Sequence, residues 1–189
     1  MMKKTKSRAT QAILGGAVLL LAVTLSCHKS GRPAGNQTFY DSLGGAVLVP
    51  DPANFGQSVE KGYLTIRTIV DCALFLIQVD PVINGYFSIM VAEDTAHTTP
   101  TEYDKLSLGI TNFLAVAAGS KDYSYTGPTL LDAHNPSTNP NVPGPIDSGA
   151  FNEFAFDLGR AAAQSGLSNQ LISQLGDLLY RYEGQVVQP

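Results

Sequence analysis

Residues 64–80, LTIRTIVDCALFLIQVD, constrain the fold of this chain more than any other stretch. Ile66, Ile69, Val70, Ala73, Leu74 and Ile77 recur at the spacings of one helix face. Phe75 and Leu76 widen the stripe, so the pattern predicts a helix buried on most sides. A buried strand competes for such an apolar run, but a run of about 15 residues is too long for one. Pro81 follows Asp80 and marks the stop.

Three further segments carry the same period. In EYDKLSLGITNFLAVAAG, Leu106, Ile110, Phe113, Leu114 and Ala117 share a face. Thr101 with Asp104 resembles a capping box at its start, and Gly119 is a suitable stop. In AFNEFAFDLGRAAAQSG the stripe is Phe151, Phe154, Ala155, Leu158 and Ala162, with Asp147 or Ser148 before it and Gly166 after. In SNQLISQLGDLLYRYEGQV it is Leu171, Ile172, Leu175, Leu179 and Tyr182. Between these lie VPDPANFGQSVEKG, VAEDTAHTTPT and NPSTNPNVPGPIDSG, all polar or proline-rich, and no stretch alternates with the period of a strand. The chain therefore reads as all-α, with four main helices joined by long loops. Loops this long are unusual in a compact helical domain unless something besides helix packing holds the core. A bound cofactor would serve.

Its 189 residues suit one domain, and 44% apolar against 15% charged residues is enough to build a sizeable core. The formal charge is −4, and the mature chain is more acidic still once Lys3, Lys4, Lys6 and Arg8 are removed with a leader. There is no basic run and no interleaved aromatic stripe, so nucleic-acid binding has little support. Those four cations precede an uncharged, mostly apolar run over 12–25, too short to span a bilayer but suited to a signal peptide. TLSC follows, and this resembles a bacterial lipoprotein signal with Cys27 as the lipidated residue. The lipoprotein box usually carries leucine three residues before the cysteine; here Thr24 stands there, with Leu25 one place later. An ordinary secretory signal is the alternative. The expected organisation is a signal peptide over 1–26, a lipidated Cys27 and polar tether over 27–37 that includes His28, and one domain over 38–189. That places the protein in a bacterial cell envelope, at the outer membrane or the periplasmic face, touching the membrane through its lipid alone. With Cys27 acylated, Cys72 has no intrachain partner, which excludes a disulfide scaffold; its apolar surroundings suggest a buried thiol.

Four motifs stand in a telling order: FYDSLGG (39–45), VDPVINGYF (79–87), LSLGITNFLAVAAG (106–119) and YTGPTLLDAH (125–134). Two amphipathic helices then close the chain. This order resembles the group I truncated haemoglobins, whose members carry YDxLGG, DPxxxxxF, LTxFL and YTGxxMxxxH. The resemblance runs from Phe39 to the end and implies a two-over-two helical sandwich around haem b. It makes His134 the proximal iron ligand, with Leu130 one turn earlier as an apolar haem contact. The ring's second nitrogen would bond a backbone carbonyl near Leu130, fixing the tautomer. Phe87 matches the phenylalanine that stacks on haem, Tyr125 matches the tyrosine of YTG at the haem edge, and Phe154 completes the set. Each of these aromatics would also serve as plain core or loop packing.

The distal side departs from the family. Many members place a tyrosine donor in the middle of the second helix, where this chain has Leu74. The other distal positions fall on Leu106 and Ile110. None of the three can donate a hydrogen bond, so the resemblance implies a weak hold on O₂, which gains charge on binding, and little change for CO. Three insertions, after LGG, before Thr101 and after His134, separate this chain from shorter members. The second holds His97, a solvated loop histidine by default and a distal ligand by exception.

The leading expectation is a membrane-anchored globin that binds a diatomic gas (O₂, NO or CO), served by an unidentified electron donor. A haem-free globin-like interaction protein and a haem-dependent enzyme handling NO or peroxide stay open. The apolar distal positions argue against peroxidase chemistry, which needs a nearby proton shuttle. The sequence shows no glycine-rich phosphate loop, no carboxylate pair at metal spacing and no Ser-His-Asp order.

Overall fold

The computed structural model describes residues 37–96 and 101–188. Cys27, His28, His97 and the signal and tether up to residue 36 lie outside the described residues. Among those described are eight α-helices, a 3-10 turn and a two-stranded hairpin: α1 (Phe39–Ser42), β1 (Leu48–Pro50), β2 (Ser58–Glu60), α2 (Lys61–Val79), the 3-10 turn (Asn84–Phe87), α3 (Ser88–Ala96), α4 (Thr101–Ala117), α5 (Leu130–His134), α6 (Ser148–Gln164), α7 (Asn169–Tyr180) and α8 (Glu183–Val186). The expected two-over-two sandwich is present. Helix α2 packs against both α4 and α6, and α7 packs against α6.

The long helix α2 is the axis of the core. Ile66, Ile69, Val70, Ala73, Leu74 and Ile77 are all buried, Ile77 completely. It is not buried on most sides, however. Phe75 and Val79 are exposed, and Cys72 is half-buried with Sγ 3.2 Å from Gln164 Oε1. The helix ends at Asp80, as Pro81 requires.

Helix α4 corrects the sequence reading more sharply. Its most buried face is Ser107, Thr111, Leu114 and Ala115, not the stripe of large apolar residues. Small side chains let α4 approach α2 closely, and Ser107 Oγ donates to the Asp71 carboxylate there. Arg67 Nε holds both oxygens of the same carboxylate at 3.1 Å. Tyr103 donates its hydroxyl to Asp71 O at 3.1 Å. Burial pushes the Tyr103 hydroxyl pKa up to about 12, so it stays a donor. Leu106, Ile110 and Phe113 are consequently turned off the α2 interface and only half-buried. Thr101 is the first helical residue described, and the Glu93 carboxylate accepts from the amides of Glu102 and Tyr103 at 2.7 and 3.3 Å.

Two loops of the sequence reading contain structure. The insertion after LGG forms the antiparallel hairpin, with Val49 opposite Val59, too short to show alternation. The stretch before residue 97 continues as α3. Thr38 and Asp41 make a capping box for α1, and Asp147 caps α6 by accepting from Ala150 N at 2.8 Å. Gly119 and Gly166 stop their helices at φ +101° and +84°, where a side chain would be strained.

Where α1 meets α2, closeness depends on Gly62. A Cβ at that position would lie 2.9 Å from the Tyr40 ring and 3.1 Å from Gly45 N. Tyr40 is buried and donates its hydroxyl to the buried Glu60. Gly62→Ala should therefore push Tyr40 off Glu60 and destabilise the fold by about 1–3 kcal/mol, despite the better helix propensity of alanine. Thermal unfolding checks this; an unchanged or higher Tm would contradict it.

Candidate functional site

The half-buried stripe of α4 faces a cavity of about 370 Å³. That lies within the roughly 300–1,000 Å³ of small-molecule and cofactor sites. Leu106, Ile110 and Phe113 of α4 form one wall, with Phe87 from the 3-10 turn and Phe154 from α6. Leu130, His134 and Tyr125 come from α5 and the segment before it. Seven of the eight residues singled out from the sequence thus share one cavity. The eighth, Leu74, does not line it. It is 1% exposed, packed on the core side of α2, and α2 contributes no lining residue. The close α2–α4 contact closes the core over it.

The lining also includes residues the sequence reading passed over. Met90 comes from α3, Val142 and Ile146 from the insertion after His134, and Val186 from the C-terminal turn, beside Tyr182 of the last apolar stripe. Nothing in their spacing marks them, because each sits on a short element or a loop. Aromatic rings brace the cavity. Phe87 and Phe154 lie nearly parallel, 12° apart with centroids at 6.4 Å. Phe113 meets the edges of Tyr125 (5.6 Å) and Tyr182 (4.9 Å). Two tyrosine hydroxyls of the lining are already committed: Tyr125 donates to Pro128 O at 2.8 Å and Tyr86 to Pro145 O at 3.1 Å. Two charged lining residues, Glu102 and Lys105, pair with each other at 2.6 Å, and Lys105 is exposed.

His134 is the group with chemistry to offer. Its Nδ1 lies 2.7 Å from Leu130 O. A carbonyl only accepts, so Nδ1 carries the proton and the neutral ring keeps its lone pair on Nε2. Burial lowers the pKa of His134 below the ordinary 6.5, with the Leu130 bond opposing this in part. The ring is therefore neutral at pH 7, as a metal-binding imidazole must be.

A helix of five residues cannot hold a side chain steady by itself, since its terminal carbonyls lack partners. Here side chains supply them. Thr138 Oγ1 donates to Asp132 O at 2.8 Å, Asn139 Nδ2 to Ala133 O at 2.6 Å, and Gln188 Nε2 to His134 O. Thr129 caps the start by accepting from Asp132 N at 3.1 Å. The NPSTNP insertion and the C-terminal tail thus form a frame around the histidine.

A second cluster corrects the reading that no carboxylates stand at metal spacing. Glu153 and Asp157 are one turn apart on α6, and Asp80 at the end of α2 joins them.

None of the known protein-family models matches the sequence, and no curated protein matches it. Among solved structures, the chain is similar to a truncated hemoglobin from Tetrahymena pyriformis, a mutant in its Fe(III) form. The TM-score is 0.57 at 16% identity, covering 81% of this chain and 100% of that one. The fold is therefore truncated-globin-like.

The lowered pKa of His134 has a measurable consequence. The unfolded chain, with a histidine pKa near 6.5, binds the proton more readily than the folded one. The stability contributed by the neutral ring is present above that value and is lost as pH falls below it. Urea unfolding of the protein without added ligand should show a lower midpoint at pH 5.5 than at pH 7.5. His134→Gln should remove part of that difference; an identical pH dependence in both proteins would contradict the assignment.

Proposed function

We propose that this chain is a haem-binding globin of the group I truncated type, with haem b in the cavity, His134 as the iron ligand and a diatomic gas as the bound species. One observation carries the reading: an apolar cavity holds a neutral imidazole whose Nδ1 is spent on Leu130 O, leaving Nε2 as the available lone pair. The residues present fit the group. A flat apolar cofactor needs large apolar walls, and Leu106, Ile110 and Phe113, each half-buried, supply one along the cavity. Bound haem would supply an iron centre for O₂, NO or CO, with its ligand's basicity tuned by the imidazole environment.

The rest follows from this chain's own side chains. The Leu130 carbonyl orients the His134 ring and fixes its tautomer. Phe87, Phe154, Leu130 and Tyr125 line the cavity with apolar surface. Leu106 and Ile110 offer no hydrogen-bond donor, and the Tyr86 and Tyr125 hydroxyls are turned to backbone carbonyls. A gas that needs a donor gains nothing from these four groups, which supports a preference for CO or NO over O₂. Leu106 and Ile110 carry no proton to deliver, which favours gas binding over peroxide chemistry. An external electron donor would keep the iron reduced. The lipoprotein-like leader, with Cys27 after an apolar run, supports anchoring in a bacterial envelope.

Haemin titration tests the reading. The wild type should give a saturable Soret band at one equivalent, and His134→Ala should lose it or bind at least about tenfold more weakly. A wild type that binds no haem, or a variant that binds with the same spectrum, would overturn the assignment. The anchor is tested separately by membrane fractionation. Stable anchoring needs more than one acyl chain, which a lipoprotein cysteine supplies. Wild type should pellet with membranes and Cys27→Ser should not; equal pelleting would retire the anchor.

A further inference from the structure

Three carboxylates meet where α2 ends against α6. Asp80 caps α2, and Glu153 and Asp157 lie one turn apart on α6. One oxygen from each lies within 4.8 Å of the other two. Asp157 is completely buried. Arg160 takes its Oδ1 at 3.1 Å, while Oδ2 is shielded from solvent and meets no N–H donor, with the Asp80 carboxyl in hydrogen-bonding reach of the Asp157 carboxyl. Asp80 spends one oxygen on Val82 N at 2.8 Å. Fully ionised, the three would set three negative charges against the single positive charge of Arg160 and leave two uncompensated. Like charges this close disfavour one another, and burying them adds to the cost. In keeping with that, burial and the neighbouring Asp80 hold the Glu153 and Asp157 carboxyls above their usual range.

We propose that Asp80, Glu153 and Asp157 form a binding site for Ca²⁺. An all-oxygen donor set selects a hard cation, and a charge of +2 matches the deficit. Ca²⁺ takes oxygens at about 2.3–2.6 Å and so tolerates a ligand spread up to about 5 Å, whereas Mg²⁺, at about 2.0–2.1 Å, demands a tighter octahedron. Arg160 is held over the Phe156 ring at 5.7 Å and fixes one Asp157 oxygen, so the other is presented in a set direction. The ion would tie the end of α2 to α6. Phe87 lies seven residues beyond Asp80, and Phe154 is next to Glu153, so the same tie would brace the cavity wall. The site does not depend on haem.

The test uses the full-length protein, freed of metal by chelation and without haem. Calorimetric titration with CaCl₂ should give one site, with Kd in the range of about 10⁻⁵ to 10⁻³ M. In 5 mM CaCl₂, Tm should rise by about 3 °C or more, and by less in MgCl₂. Asp157→Asn and Glu153→Gln should lose both responses. Without Ca²⁺, Glu153→Gln should melt above wild type, because a like charge has gone. Absence of heat and of a Tm shift in the wild type would overturn the proposal, with a proton shared among the carboxylates as the replacement. Equal shifts in wild type and both variants would overturn it too, since the ion would then act elsewhere.

Discussion

The close contact between α2 and α4 is the constraint on which the rest of the structure depends. It is made by small side chains, Ser107, Thr111 and Ala115, against the apolar face of α2. Polar atoms on that face are expensive to bury, and Ser107 meets the cost by donating to Asp71. Because the small residues take the interface, the large ones of α4 cannot. Leu106, Ile110 and Phe113 are left half-buried around a cavity. A helix pair packed through its bulky stripe would fill that space with its own side chains, and no site would exist.

Much of this was legible from residue spacing, and the failures are instructive. The periods of Ile66 to Ile77 and of Phe151 to Ala162 located two core helices, because Ile66, Ile69, Leu74, Ile77, Phe151, Leu158 and Ala162 on those stripes are buried, although Asp157 is buried and Phe156 exposed against the pattern. In α4 burial does not follow the apolar stripe. Hydrophobicity pointed to Leu106, Ile110 and Phe113 as core, whereas Ser107 and Thr111 are more buried than any of them. Apolar periodicity finds the greasy face, and that face covers either protein or a ligand; spacing alone does not distinguish the two. Leu74 illustrates the converse. Its position in the chain suggested the cavity, and the tight α2–α4 contact keeps it in the core. The hairpin, α3 and the frame around α5 escaped notice because short elements carry little periodic signal. The carboxylate cluster escaped because Asp80 and Glu153 are distant in sequence and only the packing of α2 on α6 brings them together.

The cavity's histidine ties local chemistry to the insertions that set this chain apart. The residues after His134 do more than connect helices: Thr138 and Asn139 satisfy the carbonyls of α5, and Gln188 reaches back from the C-terminal tail. Held in this way, a five-residue helix can present one ring in one tautomer. Desolvation and the Leu130 bond act on the pKa in opposite senses, and desolvation is the larger. The result is a neutral ring with its lone pair on Nε2, which is the state the proposed role requires.

Resonance Raman spectroscopy of the ferrous haem complex is the most direct measurement of that role. Protein labelled with ¹⁵N-histidine should show an iron–histidine stretching band that shifts relative to the unlabelled protein. His134→Gly should lose the band, and added imidazole should restore one that no longer carries the protein label. A complex without a histidine-sensitive band, or one whose band survives in His134→Gly, would contradict the account.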